Sequence, residues 1–427
     1  MKDSQPHTAR TLVDHLFREE AGKMTAILIR LFGLGNAELA DDIVQETFIT
    51  AMKKWPLKGV PENPSAWLMK VAKNKALNVV KRERMIREKS SSIPGINKDE
   101  AAIDNMFDQQ EVKDTQLSML FTCCYPEIKE REQLILILKI LGGFSNAEIG
   151  SALLIEPEAV KKAFYRARVK IKNHYTELPE LNREETQRRA DTVLKAIYLL
   201  FNEGYKTSFA DDLINADLCY TALRLAHLMT SITLEDSGRT HALLALMYFQ
   251  SARFPARSGE QAEVLDLKDQ DRSKWNRDLI NKGFNHLMKS RNSKELSRYH
   301  LESTIASAHV QARSFAETDW KLICSCYKKL MMVEPSALIE LNYVVALSYL
   351  YGAEFGLKKI ESIEDSEIKA KQYFLWAAKA EMNVRLGRFG LAKSYYQVAC
   401  DHAQSSFDKN YLRRKMEECD LNNLSQN

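Results

Sequence analysis

This 427-residue sequence lacks the features that mark membrane, secreted and metal-dependent proteins. It has no apolar run long enough to span a bilayer, and its first ten residues are too polar for a signal peptide. Its seven cysteines form no C-x-x-C pair, and its nine histidines form no H-E-x-x-H motif. We therefore expect a cytoplasmic protein with buried, reduced cysteines, no bound metal and no cofactor.

The sequence also has little net charge, only +4, although 28% of its residues are charged. Any strongly basic surface must therefore be local, and acidic residues elsewhere must balance it. The length is sufficient for two to four domains. Helical periodicity along most of the chain predicts an all-α fold.

A helix with an acidic face is predicted between residues 36 and 52. Apolar side chains recur there at helical spacing, and Asn36 is placed to cap the first turn. The acidic face is uncompensated within this helix, because no Lys or Arg precedes Lys53. Such a face is either a docking surface for a basic partner or an ordinary solvated surface. The candidate docking residues are Asp41, Asp42, Gln45 and Glu46.

A basic helix follows after a loop. Residues 55–64 contain three prolines and a glycine, which excludes a regular helix or central strand there. Asn63 can cap the next helix, and Pro64 can take its first position. From 70 to 89 there are eight basic residues against two acidic ones, and cations beside amides and an aromatic ring suit phosphates and unstacked bases. The candidate DNA-binding residues here are Trp67, Lys70, Lys73, Asn74, Asn78, Lys81 and Arg82.

The order of these features resembles region 2 of bacterial sigma factors of the extracytoplasmic-function (ECF) branch. The resemblance is carried by Asp41–Phe48, Ala66–Leu68 and Ala72–Asn74. In that family the acidic helix grips the clamp helices of RNA polymerase β′, and the loop and basic helix melt and read the −10 promoter element. The resemblance implies a region 2 helical bundle at 10–88 that binds core polymerase and the melted strand. Trp67 has a second interpretation as a core residue, since it lies on an apolar face.

A linker and a second helical module are predicted after region 2. Residues 89–112 include a serine run, a proline and a glycine, which is typical of a linker. The module spans 113–175. Within it, Ser145 and Glu148 match a capping box, and Pro157 can start the last helix after a short turn. Helix, short turn and helix is the helix-turn-helix pattern.

The last helix of this module has the charge of a recognition helix. Residues 158–172 carry six basic residues against one acidic residue, and Lys161, Tyr165, Arg168 and Lys172 are expected in one outward row. The segment 158–168 resembles the end of sigma region 4, which reads the −35 element of double-stranded promoter DNA. The resemblance also implies the polymerase β flap as a partner. The candidate DNA-binding residues are Glu158, Lys161, Lys162, Tyr165, Arg166 and Arg168.

The rest of the chain, 179–427, is predicted to be an all-helical extension. From residue 304 the sequence repeats with a period of 34 or 35 residues, and Thr318, Gly352 and Gly387 hold the expected turn between paired helices. The last copy is close to the tetratricopeptide (TPR) pattern, so a TPR-like helical-repeat domain is expected. Segments including Leu200–Tyr205 resemble the ECF subgroup with a C-terminal TPR-like extension.

These patterns predict an ECF-type sigma factor that directs promoter-specific initiation, with the extension acting in cis or binding an unidentified regulatory partner. One alternative is a helix-turn-helix regulator whose repeat domain binds a ligand or partner. A TPR scaffold that binds DNA only incidentally is another. Glu203, Asp269, Asp271 and Arg272 have no spacing typical of a catalytic or metal site, so we expect no enzyme.

Overall fold

The computed structural model describes residues 5–88, 100–153, 155–175, 178–179, 182–205, 215–257, 265–361, 372–403 and 406–426. Every regular element in these ranges is a helix, which confirms the predicted all-α fold class. The chain forms two compact units. They are unit 1 (Met1–Gly204 and Ala216–Glu235) and unit 2 (Tyr205–Asn215 and Asp236–Asn427).

Unit 1 contains the predicted sigma-like modules and the first helices of the extension. A 3₁₀ turn precedes its second helix, and a π-helical turn, Ile137–Leu141, continues the sixth. The helices are α1 (Gln5–Phe32), α2 (Ala37–Lys58), α3 (Pro64–Glu88), α4 (Glu100–Met106), α5 (Gln109–Cys123), α6 (Glu130–Leu136), α7 (Asn146–Leu153), α8 (Pro157–His174), α9 (Arg183–Tyr205) and α10 (Ala216–Met229).

Helix α1 packs against helices of both predicted sigma modules in unit 1. From Glu20 onwards nearly all of its residues are buried, because it contacts α2 and α3 on one side and α5 and the π-helical turn on the other. Gly22 lies directly against the backbone carbonyl of Leu141, a position without room for a Cβ. Further along α1, Arg30 donates to Glu111 and Thr115 at 2.7 and 2.8 Å. The two predicted sigma modules therefore pack together around one helix.

Two local predictions about α2 are wrong. Asn36 does not cap the helix, because its side-chain amide donates to the Phe32 carbonyl at 2.7 Å instead. The predicted loop at 55–64 begins only at Gly59, and Pro56 lies in the last turn of α2. Pro56 is tolerated there because the buried Trp55 anchors the turn and the Gly59 N–H donates to the Trp55 carbonyl at 3.0 Å.

The segment predicted as a linker is partly helical. Residues 89–99 lie outside the described residues, but α4 begins at Glu100, and α5 begins at Gln109, ahead of the predicted module start at 113. All seven cysteines are buried, as expected. Burial raises the pKa of Cys124 to about 12, so this thiol stays protonated.

The extension begins inside unit 1, not as a separate domain. Arg189 on α9 donates to the Phe121 carbonyl of α5, and Arg224 on α10 donates to the Leu141 carbonyl at 2.5 Å. Lys195 on α9 forms an ion pair with Glu130.

Unit 2 is a succession of helices in which neighbours along the chain pack together from α14 to α20. A charged connection at 265–271 separates α11 and α12 from the later helices. The helices are α11 (Gly238–Ser251), α12 (Phe254–Arg257), α13 (Arg277–Ser290), α14 (Arg298–Gln311), α15 (Trp320–Val333), α16 (Ala337–Tyr351), α17 (Ala353–Ile360), α18 (Gln372–Arg385), α19 (Phe389–His402) and α20 (Ser406–Gln426).

The predicted repeat turns are confirmed by the helix boundaries. Thr318 lies between α14 and α15, Gly352 between α16 and α17, and Gly387 between α18 and α19. Both glycines have positive φ, 99° and 71°, a conformation that residues with a Cβ rarely adopt. The helices therefore stack as pairs. The finer assignment to the TPR type stays a prediction.

Candidate nucleic-acid interface

The acidic face of α2 is only partly free. Asp42, Gln45 and Glu46 are exposed and Asp41 is half-buried. Lys75 of α3 approaches Glu46 at 2.7 Å, and Lys139 of the π-helical turn approaches Asp41 at 2.9 Å. Cations from other elements therefore reach these two carboxylates, so the face is uncompensated only within α2 itself. Asp42 has no ion pair with any residue that the structure describes.

The basic face of α3 lies beside this acidic face. Asn63 caps α3 as predicted, since its side chain accepts from the Ala66 N–H at 3.0 Å, and Pro64 is the first helical residue. Leu68, Ala72, Ala76 and Val80 are buried and orient the helix. Lys73 is half-buried and approaches Asp104 of α4 at 3.2 Å. The exposed polar side chains of the predicted set are Lys70, Asn74, Asn78, Lys81 and Arg82.

Trp67 lies at the start of this face and is half-buried. Its ring meets Trp55 edge to face, with 5.5 Å between centroids. Trp55 is the buried partner, only 3% exposed, and its ring packs against the inner side of Trp67. Trp67 is thus neither fully in the core nor fully in solvent, and a base can reach part of its ring.

The helix-turn-helix is built as the sequence predicts. The Ser145 hydroxyl accepts from the Glu148 N–H at 3.2 Å, and the Glu148 carboxylate accepts from the Ser145 N–H at 2.8 Å, which completes the capping box. Arg131 on α6 donates to the Leu153 carbonyl at 2.6 Å and fixes the end of α7. Pro157 starts α8, whose buried side is Val160, Ala163, Ala167 and Ile171.

The recognition helix α8 presents most, not all, of its predicted residues. Glu158, Lys161, Lys162, Tyr165 and Arg166 are exposed.

Arg168, expected in the outward row, is only 12% exposed in its side chain. Its guanidinium lies 3.9 Å from the Glu38 carboxylate of α2. The guanidinium carbon lies 5.9 Å from the Phe164 ring centroid and 5.7 Å from the Tyr165 ring centroid. Glu38 and α8 line one groove of about 420 Å³, so an acidic residue of α2 faces the surface predicted to receive phosphates.

Glu132 is a site residue that sequence reasoning missed. Its side chain, 11% exposed, approaches Arg166 at 3.5 Å and Lys170 at 3.3 Å. Glu132 therefore forms ion pairs with two cations of the predicted recognition helix. Glu132 lies more than thirty positions before its partners, and no sequence pattern links them.

Two kinds of site are absent from the part of the chain that the structure describes. No group of three or more His, Cys, Asp or Glu side chains is placed to hold a metal ion. In the same ranges, no helix combines the length and apolar character needed to cross a membrane.

Comparisons with known proteins assign the two halves of this interface to two families. Residues 16–85 match Sigma-70 region 2, and residues 118–171 match Sigma-70, region 4. Residues 189–291 match a family of unknown function, DUF6596. No solved structure matches the chain significantly.

Two curated proteins are similar to this chain. An uncharacterized protein of Rhizobium meliloti, R00370, is 28% identical over 396 residues, which cover 91% of this chain and 92% of that protein. The ECF RNA polymerase sigma factor SigW of Bacillus subtilis is 23% identical over 149 residues, which cover 34% of this chain and 80% of that protein.

Proposed function

We propose how this chain, an ECF-type sigma factor with a C-terminal helical extension, divides transcription initiation among its surfaces. Core RNA polymerase and promoter DNA are the partners that its sigma domains imply. The exposed acidic face of α2, centred on Asp42, binds the β′ clamp helices. The basic face of α3 with Trp67 binds the melted −10 strand, α8 binds the −35 element, and the second module docks on the β flap. The protein acts in the cytoplasm and catalyses no covalent step itself.

The observation that carries this proposal is the placement of one acidic and two basic surfaces on adjacent helices of unit 1. Opposite charges on neighbouring faces suit simultaneous contact with a basic protein partner and with phosphates. Run-off transcription from a promoter selected by the protein tests it. We expect transcripts only when core polymerase and this protein are both present. A protein that binds DNA but gives no transcript with core polymerase would contradict the proposal and favour a helix-turn-helix regulator.

We further infer that unit 1 describes a closed form of the factor. The −10 and −35 elements lie about 25 base pairs apart, which is about 85 Å along B-form DNA. In unit 1 the two modules touch directly through Asp41 with Lys139, Glu38 with Arg168, and Gly22 against Leu141. The two modules cannot occupy both elements in this arrangement, so they must separate on the promoter. Asp41 and Arg168 are then released for polymerase and DNA.

The extension acts in cis, and α9 and α10 are the support for this part of the proposal. Both helices pack on the second sigma module, through Arg189 and Arg224, and Ser118 of α5 donates to the Pro179 carbonyl. Phe121 and Leu141, whose carbonyls accept these bonds, are fully buried. Removing everything after residue 177 would therefore expose part of the core of unit 1.

Two truncations separate this damage from the role of unit 2. The chain 1–177 removes α9 and α10, whereas the chain 1–235 keeps them. We expect 1–177 to lose cooperative unfolding and 1–235 to keep it. We also expect the transcription rate of 1–235 to differ at least about fivefold from that of the full chain, with recovery when residues 236–427 are added separately. Equal rates for 1–235 and the full chain would show that unit 2 does not act in cis.

A further inference from the structure

Unit 2 contains a cavity of about 280 Å³ that the transcription mechanism does not use. It lies among α14, α15, α16, α18, α19 and α20, beside the charged connection at 265–271. Its volume equals roughly nine water molecules at liquid density, which is the size of a small metabolite. The helices around it are held by their own buried apolar clusters, so the cavity is formed without a ligand.

One wall of the cavity is aromatic and fixed in place. The rings of Trp320 and Tyr349 stack with 4.4 Å between centroids and 16° between planes. Phe315 meets both rings edge to face at 5.2 and 5.1 Å. The Arg385 guanidinium lies 4.1 Å from the Tyr349 centroid, so Trp320 and Arg385 cover the two faces of that ring. The wall is therefore preorganised, and a ligand meets Phe315, Trp320 and the edge of Tyr349.

Each charged side chain that lines the cavity has an ionic partner. Lys268 forms an ion pair with Glu381, which also accepts from the Tyr396 hydroxyl at 3.0 Å. Asp266 accepts from the Tyr411 hydroxyl at 2.9 and 2.8 Å and approaches the buried Lys415 at 3.4 Å. Lys415 does not line the cavity and also approaches Asp269 and Glu418. Burial raises the pKa of Glu381, but the Lys268 ammonium and the Tyr396 hydroxyl outweigh it and leave the pKa lowered. None of the three charged lining groups is therefore without a counter-charge.

Other polar groups in the cavity have no such partners. The Nδ1 atom of His309 is buried without a hydrogen bond. Burial, with Arg253 and Arg272 nearby, lowers the pKa of His309 to about 3, so the ring is neutral near pH 7. Tyr327, which is half-buried, and Asn342, which is exposed, also line the cavity, and neither makes a side-chain hydrogen bond to the residues that the structure describes. The buried nitrogen of His309 gains most from a ligand that can hydrogen-bond.

We propose that this cavity binds an uncharged, planar aromatic or heteroaromatic small molecule that carries at least one hydrogen-bonding group. A charged ligand is disfavoured because its desolvation would meet no uncompensated counter-charge. The ring lies against the wall formed by Trp320, Tyr349 and Phe315. Its polar group meets His309, Tyr327 or Asn342. This site does not depend on how unit 2 affects transcription, because binding is measured on the protein alone.

Four indoles test the ligand class, of which three are of similar size and differ in charge. Calorimetry or ligand-observed NMR with the full chain compares neutral indole and indole-3-acetamide with anionic indole-3-acetate and cationic tryptamine. We expect indole to bind at one site and indole-3-acetamide to bind at least about tenfold more tightly than either charged analogue. Absence of indole binding up to its solubility limit would overturn the proposal. Equal affinity for the three substituted indoles would do the same, because it would indicate nonspecific association with apolar surface.

Two substitutions locate the site, and a third serves as the control. Ala377 lines the cavity, so A377L narrows it and should abolish indole binding. Y327F keeps the ring but removes the hydroxyl, and should weaken the neutral phenol p-cresol about three- to tenfold. M332A changes an exposed side chain of α15, 79% exposed, and should leave both ligands unaffected. If A377L does not fold, the comparison of p-cresol affinity between Y327F and M332A tests the location of the site. Unchanged p-cresol affinity in Y327F, or unchanged indole affinity in folded A377L, would contradict the assignment.

Discussion

The two basic helices of unit 1 carry similar charge but pair with carboxylates of different burial. On α3, Lys73 pairs with Asp104 and Lys75 with Glu46, whose side chains are 56% and 64% exposed. On α8, Arg166 and Lys170 share Glu132, which is only 11% exposed, and Arg168 lies near Glu38. We therefore expect phosphates to displace the carboxylate partners of α3 more easily than Glu132 of α8.

This difference indicates where regulation can act at low energetic cost. The Glu38 side chain is 88% exposed, so its pair with Arg168 contributes about 0–1 kcal/mol and a phosphate can replace it without unfolding α8. Glu132 is nearly buried, so removal of its two cations leaves a desolvated carboxylate and costs more. The packing of α1 against α5 and Leu141 buries mainly apolar side chains of α1 and also costs more to separate. The sigma modules are thus expected to part when polymerase and promoter together supply the missing contacts.

The largest expected effect comes from reversing charge on the exposed part of α2. The double variant D42K/E46K should weaken binding to core polymerase at least about 100-fold, because each reversal replaces attraction by repulsion at the interface. Helicity should not change, since both side chains are exposed and the Glu46–Lys75 pair is a surface pair. Co-purification with core polymerase and circular dichroism measure the two quantities.

The matched control is D114K/E235K, which changes net charge equally at two exposed acidic residues outside this face. It should bind core polymerase like the unmodified protein. Retained binding by D42K/E46K, or equal loss in the control, would remove the α2 face from the interface.

We expect Trp67 to contribute to promoter opening and not to closed-complex binding. W67A should reduce opening about 10- to 100-fold, since stacking contributes about 1–3 kcal/mol per base, and closed-complex affinity should stay within about twofold. W67F should restore most of the opening. Permanganate footprinting measures the melted strand, and gel shift on duplex DNA measures the closed complex. Equal losses at both steps would identify Trp67 as a core residue.

The exposed cations of α8 should set the salt dependence of −35 binding. K161A/R166A should weaken binding about tenfold near 0.1 M salt and reduce the slope of log affinity against log salt by about 0.9 for each phosphate that the variant no longer neutralises. Fluorescence anisotropy between about 50 and 200 mM salt measures this slope. K113A changes an exposed lysine of α5 as a control. An unchanged slope in K161A/R166A would place the phosphates elsewhere.

Glu132 gives the smallest effect and the sharpest comparison of the two helices. E132Q releases Arg166 and Lys170, so duplex −35 affinity should rise about two- to threefold while binding of a single-stranded −10 oligonucleotide stays constant. E127Q, an exposed carboxylate on the same module, serves as its control. A fall in −35 affinity in E132Q would mean that Glu132 positions α8 rather than competing with DNA.

Local signals in the sequence predicted much of the site. Contacts between positions far apart in the sequence could not be predicted from it. Ser145 with Glu148, Asn63 and Pro64 are read from neighbouring residues and adopt their predicted roles. The pairing of Asp41 with Lys139 joins positions almost a hundred residues apart, so no spacing rule could find it. The cavity of unit 2 is built from six helices, and its residues share no motif. The prediction that the Asn36 side chain caps α2 was wrong because this side chain donates to the nearby Phe32 carbonyl instead.

The distance between the two sigma modules tests the closed form most directly. Spin labels at K53C on α2 and S151C on α7 occupy exposed positions, and the seven native cysteines are buried and should not react. In the free protein we expect one short distance. The chain between Glu88 and Glu100 can extend to about 40 Å, so the distance should increase by roughly 20–40 Å when polymerase and promoter are added. The same distance in both states would contradict the claim that the modules separate on the promoter.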